Sequence, residues 1–222
     1  MNRRTVLVEP ERLAGWFGRF GERHGGIAGT DLGRDRVVVR AADGATADLA
    51  VPFAPLAVDP GSHDGLPAAG VDTLVEHLSR PRRVALLLVR LGGHSVGVAL
   101  GGAVERSFTD RRLVHGRNRA GGQSSGRFAR RREGQARVAL QAAAETAVRV
   151  LLPELPTVDA VVLGGDRRAL DLLRADRRLA PLFARAEPVV LDVPEPRRTV
   201  LDDAAQRVRC ARITVTEPVD RS

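Results

Sequence analysis

Residues 83–91 read Arg83-Val84-Ala85-Leu86-Leu87-Leu88-Val89-Arg90-Leu91, a near-continuous apolar run. A strand that buries one face alternates apolar and polar residues; a run without alternation is the pattern of a buried central strand. Downstream, strands are expected at Ser95–Leu100 and Val104–Phe108, separated by Gly101-Gly102. Arg111–His115 either extends the last strand or begins a loop. A long helix is expected from about Ser124 to Leu152, then a strand at Asp159–Leu163, a helix at Asp166–Arg174 and a strand at Glu187–Val193. A helix near Thr199–Val208 and a strand at Arg212–Thr216 close the series. Strands followed by alternating helices specify an α/β layer structure, a mixed sheet with flanking helices.

Upstream the pattern is less regular. Thr5–Val8 reads as a short strand. Pro10 opens a helix to about His24, with Leu13, Trp16, Phe17 and Phe20 at helical spacing. Arg36–Ala41 and Ala45–Val51 flank Asp43-Gly44, a strong hairpin signal. Pro52–Pro60 and Gly61–Gly65 read as a linker or long loop, and a helix follows over Ala68–Ser79. The expected division is a small N-terminal helix-and-strand (α+β) subdomain over 1–65 and a main domain over 66–222.

Composition narrows the function classes. The chain has 35 basic side chains, all of them Arg, against 27 acids, a net charge of +8. A GC-rich coding bias is the simplest source of so much Arg. The placement of the charge says more. Between Arg106 and Arg137 there are ten Arg against Asp110 and Glu133, so this stretch carries the whole excess and the remainder of the chain is neutral. A localised cationic segment points to a polyanionic partner. No apolar run approaches the roughly 20 residues that span a bilayer, so no membrane partner is expected. Met1-Asn2-Arg3-Arg4 is followed by too short an apolar stretch for a signal peptide. Cys210, the one cysteine, fits a reducing compartment and a small core position. A cytoplasmic monomer is expected. His24, His63, His77 and His94 are scattered without metal-ligand spacing, so neither metal nor cofactor is expected. Gly164-Gly165-Asp166 reads as a tight strand-to-helix turn, with Asp166 near the helix N-terminus, in preference to a phosphate loop.

The chemistry lies in His115-Gly116-Arg117-Asn118-Arg119-Ala120-Gly121-Gly122-Gln123-Ser124-Ser125-Gly126-Arg127-Phe128-Ala129-Arg130-Arg131-Arg132. Gly121 and Gly122 allow backbone angles closed to other residues and a close approach to a ligand. Ser124 or Ser125 is suited to cap the helix that follows, beside Gln123. On that helix Phe128, Ala129, Ala136, Ala139, Leu140, Ala143, Ala147, Val150 and Leu151 share one face, while Arg127, Arg130, Arg131 and Arg137 point away from it. Cations in the first turns oppose the helix dipole by about 0.3–1 kcal/mol each. A local rule broken in this way marks a functional site, and arriving phosphates would supply the missing negative charge.

This segment resembles the Gly-Gly-Gln-bearing central domain of the eukaryotic and archaeal class-one release factors, in which His-Gly-Arg precedes Gly-Gly-Gln-Ser and Arg-Phe-x-Arg follows. In size it is similar to the actinobacterial release-factor-like peptidyl-tRNA hydrolases related to ribosome quality control. The motifs cover His115 to about Gln135, and the surrounding strand and helix extend the resemblance loosely over Arg82–Thr216. Asn118-Arg119-Ala120 is a departure, since the class-one factors join His-Gly-Arg almost directly to Gly-Gly-Gln. Neither a codon-reading domain nor a further C-terminal domain has a counterpart in this length.

The resemblance implies hydrolysis of the ester between a nascent peptide and the tRNA 3′ adenosine, without stop-codon decoding. It implies Gly121, Gly122 and Gln123 as catalytic residues, with His115, Arg117, Arg119, Ser124, Arg127, Arg130 and Arg131 contacting RNA or ribosome. The partners implied are the large ribosomal subunit, its RNA and peptidyl-tRNA. Two alternatives stay open: a nuclease cutting near the tRNA 3′ end, and a non-catalytic ribosome- or RNA-binding factor. Charge reversal at Arg127 and Arg130 is expected to weaken sedimentation with large subunits, a binding term that falls steeply with salt, while leaving the fold intact. Loss of the fold in that variant would make these arginines structural.

Overall fold

The computed structural model describes residues 2–90, 92–111 and 125–218, with the backbone alone described at 111 and 125–133. The chain divides into two compact units, Met1–Arg80 with Arg207–Ser222, and Pro81–Gln206. Its elements begin β1 (Arg3–Val8), α1 (Leu13–Arg23), β2 (Ile27–Leu32), β3 (Arg36–Ala41), β4 (Thr46–Ala50), β5 (Gly61–Asp64) and α2 (Ala68–Ser79). They continue with β6 (Arg83–Arg90), β7 (Gly93–Leu100), β8 (Ala103–Arg111), α3 (Ser125–Val150) and β9 (Ala160–Gly165). Last come α4 (Arg167–Arg174), α5 (Ala180–Ala184), α6 (Arg198–Arg207) and β10 (Ala211–Thr216).

The first unit is a six-stranded sheet in the order β1-β10-β4-β3-β2-β5, every neighbour antiparallel. Alternation along β3 and β10 puts Val37, Val39, Ile213 and Val215 into one core with Leu13, Phe17 and Phe20 of α1 and Val71, Leu74 and Leu78 of α2. The hairpin between β3 and β4 turns at Asp43-Gly44, where Gly44 has φ 92°. Buried His24 ties the end of α1 to this turn through a 2.8 Å hydrogen bond between Nδ1 and Asp43 Oδ2. The boundary expected at residue 65 therefore falls elsewhere: α2 and β10 group with the N-terminal unit, because their apolar faces complete its core.

Two strands of this unit are absent from the sequence reading. β2 carries Gly29 and Asp31, which break an apolar pattern, and β5 is polar and exposed along its length. Their polarity has a use. Arg40 crosses from β3 to bind both carboxylate oxygens of Asp31, with Nη2 donating to Oδ1 at 3.0 Å. Gly29 lets β5 come close, since a Cβ there would stand 3.2 Å from His63 O. Ser62 Oγ donates to Asp31 Oδ1 at 2.6 Å.

The second unit holds the sheet β8-β7-β6-β9, with β8/β7 and β7/β6 antiparallel and β6/β9 parallel. From Val84 to Val89 every residue of β6 is buried. Ala85, Leu87 and Val89 face Ala143, Ala147 and Leu151 of α3 and its continuation, with Leu170 and Leu173 of α4. On the opposite face α6 approaches so closely that a Cβ at Gly97 would stand 2.8 Å from Leu201 Cδ2. The result is a mixed α/β sheet with helices on both faces. The strand expected at Glu187–Val193 is not continuous; it is reduced to two parallel bridges, Val161 with Ala186 and Gly164 with Leu191. Pro188 lacks the N–H that a continuous ladder needs. Cys210, expected in the core, is half-buried, and desolvation raises its thiol pKa.

The hydrogen bonds from Arg40 and Ser62 lower the Asp31 carboxyl from the ordinary 3.8 to about 2. A depressed carboxylate contributes stability that is present above the unfolded value and lost as pH falls through the folded one. An NMR titration should therefore place the Asp31 midpoint near 2, and Arg40→Ala should move it up toward the ordinary value.

Candidate functional site

β8 is antiparallel to β7, and β7 to β6, so β6, β8 and β9 all run the same way and their carboxyl ends lie at one end of the sheet. In open α/β sheets this is the end at which ligands bind. Arg111, the last residue of β8, pairs with Gly93, which pairs in turn with Arg90. The chain then passes through residues 112–124 to the first residue of α3. His115, Arg117, Arg119, Gly121, Gly122, Gln123 and Ser124 lie outside the described residues. Arg127, Arg130 and Arg131 are in α3, whose helical backbone is described there without side chains.

What the described residues show is how α3 is rooted. Thr146, four residues before the end of α3 at Val150, shares a 3.0 Å hydrogen bond between its Oγ1 and His94 Nε2. Both residues are buried, His94 to 2% and Thr146 to 6% exposure. The His94 ring stacks on Phe108 of β8 at 6.2 Å, and the Arg149 guanidinium lies over that same phenyl ring at 4.7 Å. On the other face of the sheet Ser95 and Thr109 join through their hydroxyls at 2.7 Å. β7, β8 and α3 are thus held together by polar and aromatic contacts at the end of the sheet where 112–124 departs.

The opposite end is held by charge. Past α3 the chain makes a 3-10 turn at Leu152–Thr157. Arg83 at the start of β6 donates to Glu154 Oε2 at 2.9 Å and to Thr157 Oγ1, while Asp159 Oδ2 accepts from its backbone N–H at 2.7 Å. Arg106 donates to the other Glu154 oxygen at 2.9 Å.

These two anchors fix the direction of α3. Its final turns run along the sheet from His94 toward Arg83, and burial among its described side chains begins at Ala139. Ala139, Ala143, Ala144 and Ala147 are buried, whereas none of residues 134–138 is. At 1.5 Å rise per residue, Ser125 lies about 31 Å along the axis from Thr146. Gln123 precedes Ser125 by two residues in the chain.

The second glycine pair is structural. A Cβ on Gly165 would stand 2.1 Å from Val89 O, and Gly165 has φ 103°. Asp166 caps α4, its Oδ1 accepting from the N–H groups of Arg168 at 2.8 Å and Ala169 at 3.3 Å, so these donors are already occupied. Among the described residues no group of three His, Cys, Asp or Glu is placed to hold a metal ion, and no helix is long and apolar enough to cross a membrane.

His94, Thr146, Phe108 and Arg149 did not stand out in the sequence. The available signal was Thr146, a polar residue beside an alanine stripe, with Ala142, Ala143 and Val150 apolar at helical spacing from it.

The second unit is thus a mixed sheet in which residues 112–124 lead from its carboxyl end to the long helix α3. The family model of the Actinobacteria/chloroflexi VLRF1 release factor matches residues 82–214. The chain belongs to that release-factor family. Among solved structures, the chain is similar to an archaeal translation termination factor, aRF1, with 14% identity over 77% of this chain and 48% of that one, at a TM-score of 0.43. It is also similar to an archaeal protein, with 13% identity over 77% of this chain and 52% of that one, at 0.41. Archaeoglobus fulgidus Pelota aligns with 93% of this chain and 65% of its own, at 15% identity and a TM-score of 0.27. The chain thus spans about half the length of the first two. A comparison with curated proteins gives no match. The family assignment rests on the family model.

Proposed function

We propose that this release-factor family member is a peptidyl-tRNA hydrolase, which frees nascent peptides on stalled ribosomes or large subunits without reading a codon. The observation that carries this reading is the place of Gly121-Gly122-Gln123 in the chain. It stands two residues ahead of a 26-residue helix whose later turns pack on the sheet, with Ala139, Ala143, Ala144 and Ala147 buried. A helix held at one end suits delivery of a short reactive segment into a deep RNA-walled centre.

The ester between peptide and tRNA is already reactive, so catalysis asks for an oriented water and stabilisation of the developing oxyanion. Gln123 supplies both needs without titrating: its backbone N–H donates to the oxyanion or the leaving oxygen, and its uncharged side chain places or limits water. Gly121 and Gly122 let the main chain come close. A ribose hydroxyl of the tRNA shuttles the proton, so no acid–base side chain is required. Arg127, Arg130 and Arg131, with His115, Arg117, Arg119 and Ser124, contact RNA. Their charge is sequence-independent glue for phosphates and positions the protein without specifying a codon.

The test uses purified large subunits carrying labelled peptidyl-tRNA. Wild type should yield free peptide and intact tRNA, and Gln123→Ala should slow release by on the order of 10²-fold. Shortened tRNA would identify a nuclease, binding without cleavage would identify an adaptor, and undiminished release by the variant would remove Gln123 from its role.

A further inference from the structure

α3 has an unusual mechanical problem. Its contact with the sheet is concentrated in its later turns, and most of that contact is alanine: Ala139, Ala143, Ala144 and Ala147. Small side chains let a helix lie close to a sheet but present few steric stops against sliding or rotation. A buried hydrogen bond is directional, and displacing it strands polar groups away from water. The bond between His94 on β7 and Thr146 on α3 is such a contact, and it sits among the packed turns, between Ala143 and Ala147. Phe108, between the His94 ring and the Arg149 guanidinium, closes it from the β8 side.

We infer that His94 and Thr146 are positioning residues for the release reaction, acting as the pivot lock that sets where the leading end of α3 points. The inference rests on the release reading above. Its force comes from the length of the lever. From Ala139, the first buried residue in the described part of α3, about 21 Å of helix leads to Ser125, so one degree of tilt moves Ser125 by about 0.4 Å. A misplacement of about 1 Å at a reacting centre costs on the order of 10²-fold in rate. About three degrees of tilt is therefore enough to spoil catalysis while leaving the RNA-contacting arginines able to bind.

The experiment compares wild type, Thr146→Val and Thr146→Ser. Valine keeps the shape and removes the hydroxyl; serine keeps the hydroxyl. Single-turnover peptide release is measured as a function of protein concentration. Thr146→Val should lower the rate at saturation by about 10-fold or more with the half-saturating concentration unchanged, and Thr146→Ser should restore the rate. In parallel, nitroxide labels on Gly134→Cys and Leu100→Cys, in a Cys210→Ser background, report the helix-to-sheet distance. Both sites are open: a Cβ at Gly134 meets nothing within 4 Å, and Leu100 is 43% exposed. The distance distribution should broaden in Thr146→Val and stay narrow in Thr146→Ser. An unchanged distribution in Thr146→Val, an equal loss in both variants, or a shift in half-saturation at constant rate would each overturn the inference. If wild type releases no peptide, the release reading falls with it, and the distance measurement still decides whether the bond locks the helix.

Discussion

A strand that excludes water on both faces has to be covered twice, and β6 imposes that condition on the second unit. Val84 to Val89 are all buried, with alternate residues facing opposite layers. One layer is supplied by the later turns of α3 with α4, the other by α6, whose Leu201 closes on Gly97. Parallel pairing with β9 then requires a crossover, and α3 is part of it. The later turns of α3 are the part of that crossover that covers β6.

Much of this was legible in the sequence for a physical reason. The central strand, the long helix and the α4 cap are encoded by short-range patterns: an unbroken apolar run, a 3.6-residue stripe, and an Asp ahead of a helix. β2 and β5 were hidden because Gly29, Asp31 and the polar stretch Gly61–Asp64 have little preference of their own for strands, and pairing with neighbours distant in sequence is what orders them. β10 was assigned to the wrong unit because local pattern cannot show that a strand at the far end of the chain returns between β1 and β4. At the site, the cationic segment and Gly-Gly-Gln were conspicuous. The root of α3 was not, because His94 and Thr146 are 52 residues apart and neither belongs to a motif.

The same helix breaks one local rule and obeys another. Its early turns place arginines where the dipole is positive, a cost of about 0.3–1 kcal/mol for each exposed charge. Its late turns place alanines against the sheet, which favours both helix formation and close packing. Buried alanines lie in its second half and most of its arginines in its first. Under the proposed function the second half holds the fold and the first meets RNA.

The central claim is that residues 121–123 reach the peptidyl ester. A photo-crosslinking side chain placed at Ser124, next to the motif and leaving Gln123 in place, tests this directly on large subunits loaded with peptidyl-tRNA. The account expects crosslinks to the 3′-terminal nucleotides of the tRNA. Crosslinks confined to other RNA or protein, with the chain fully bound, would contradict it.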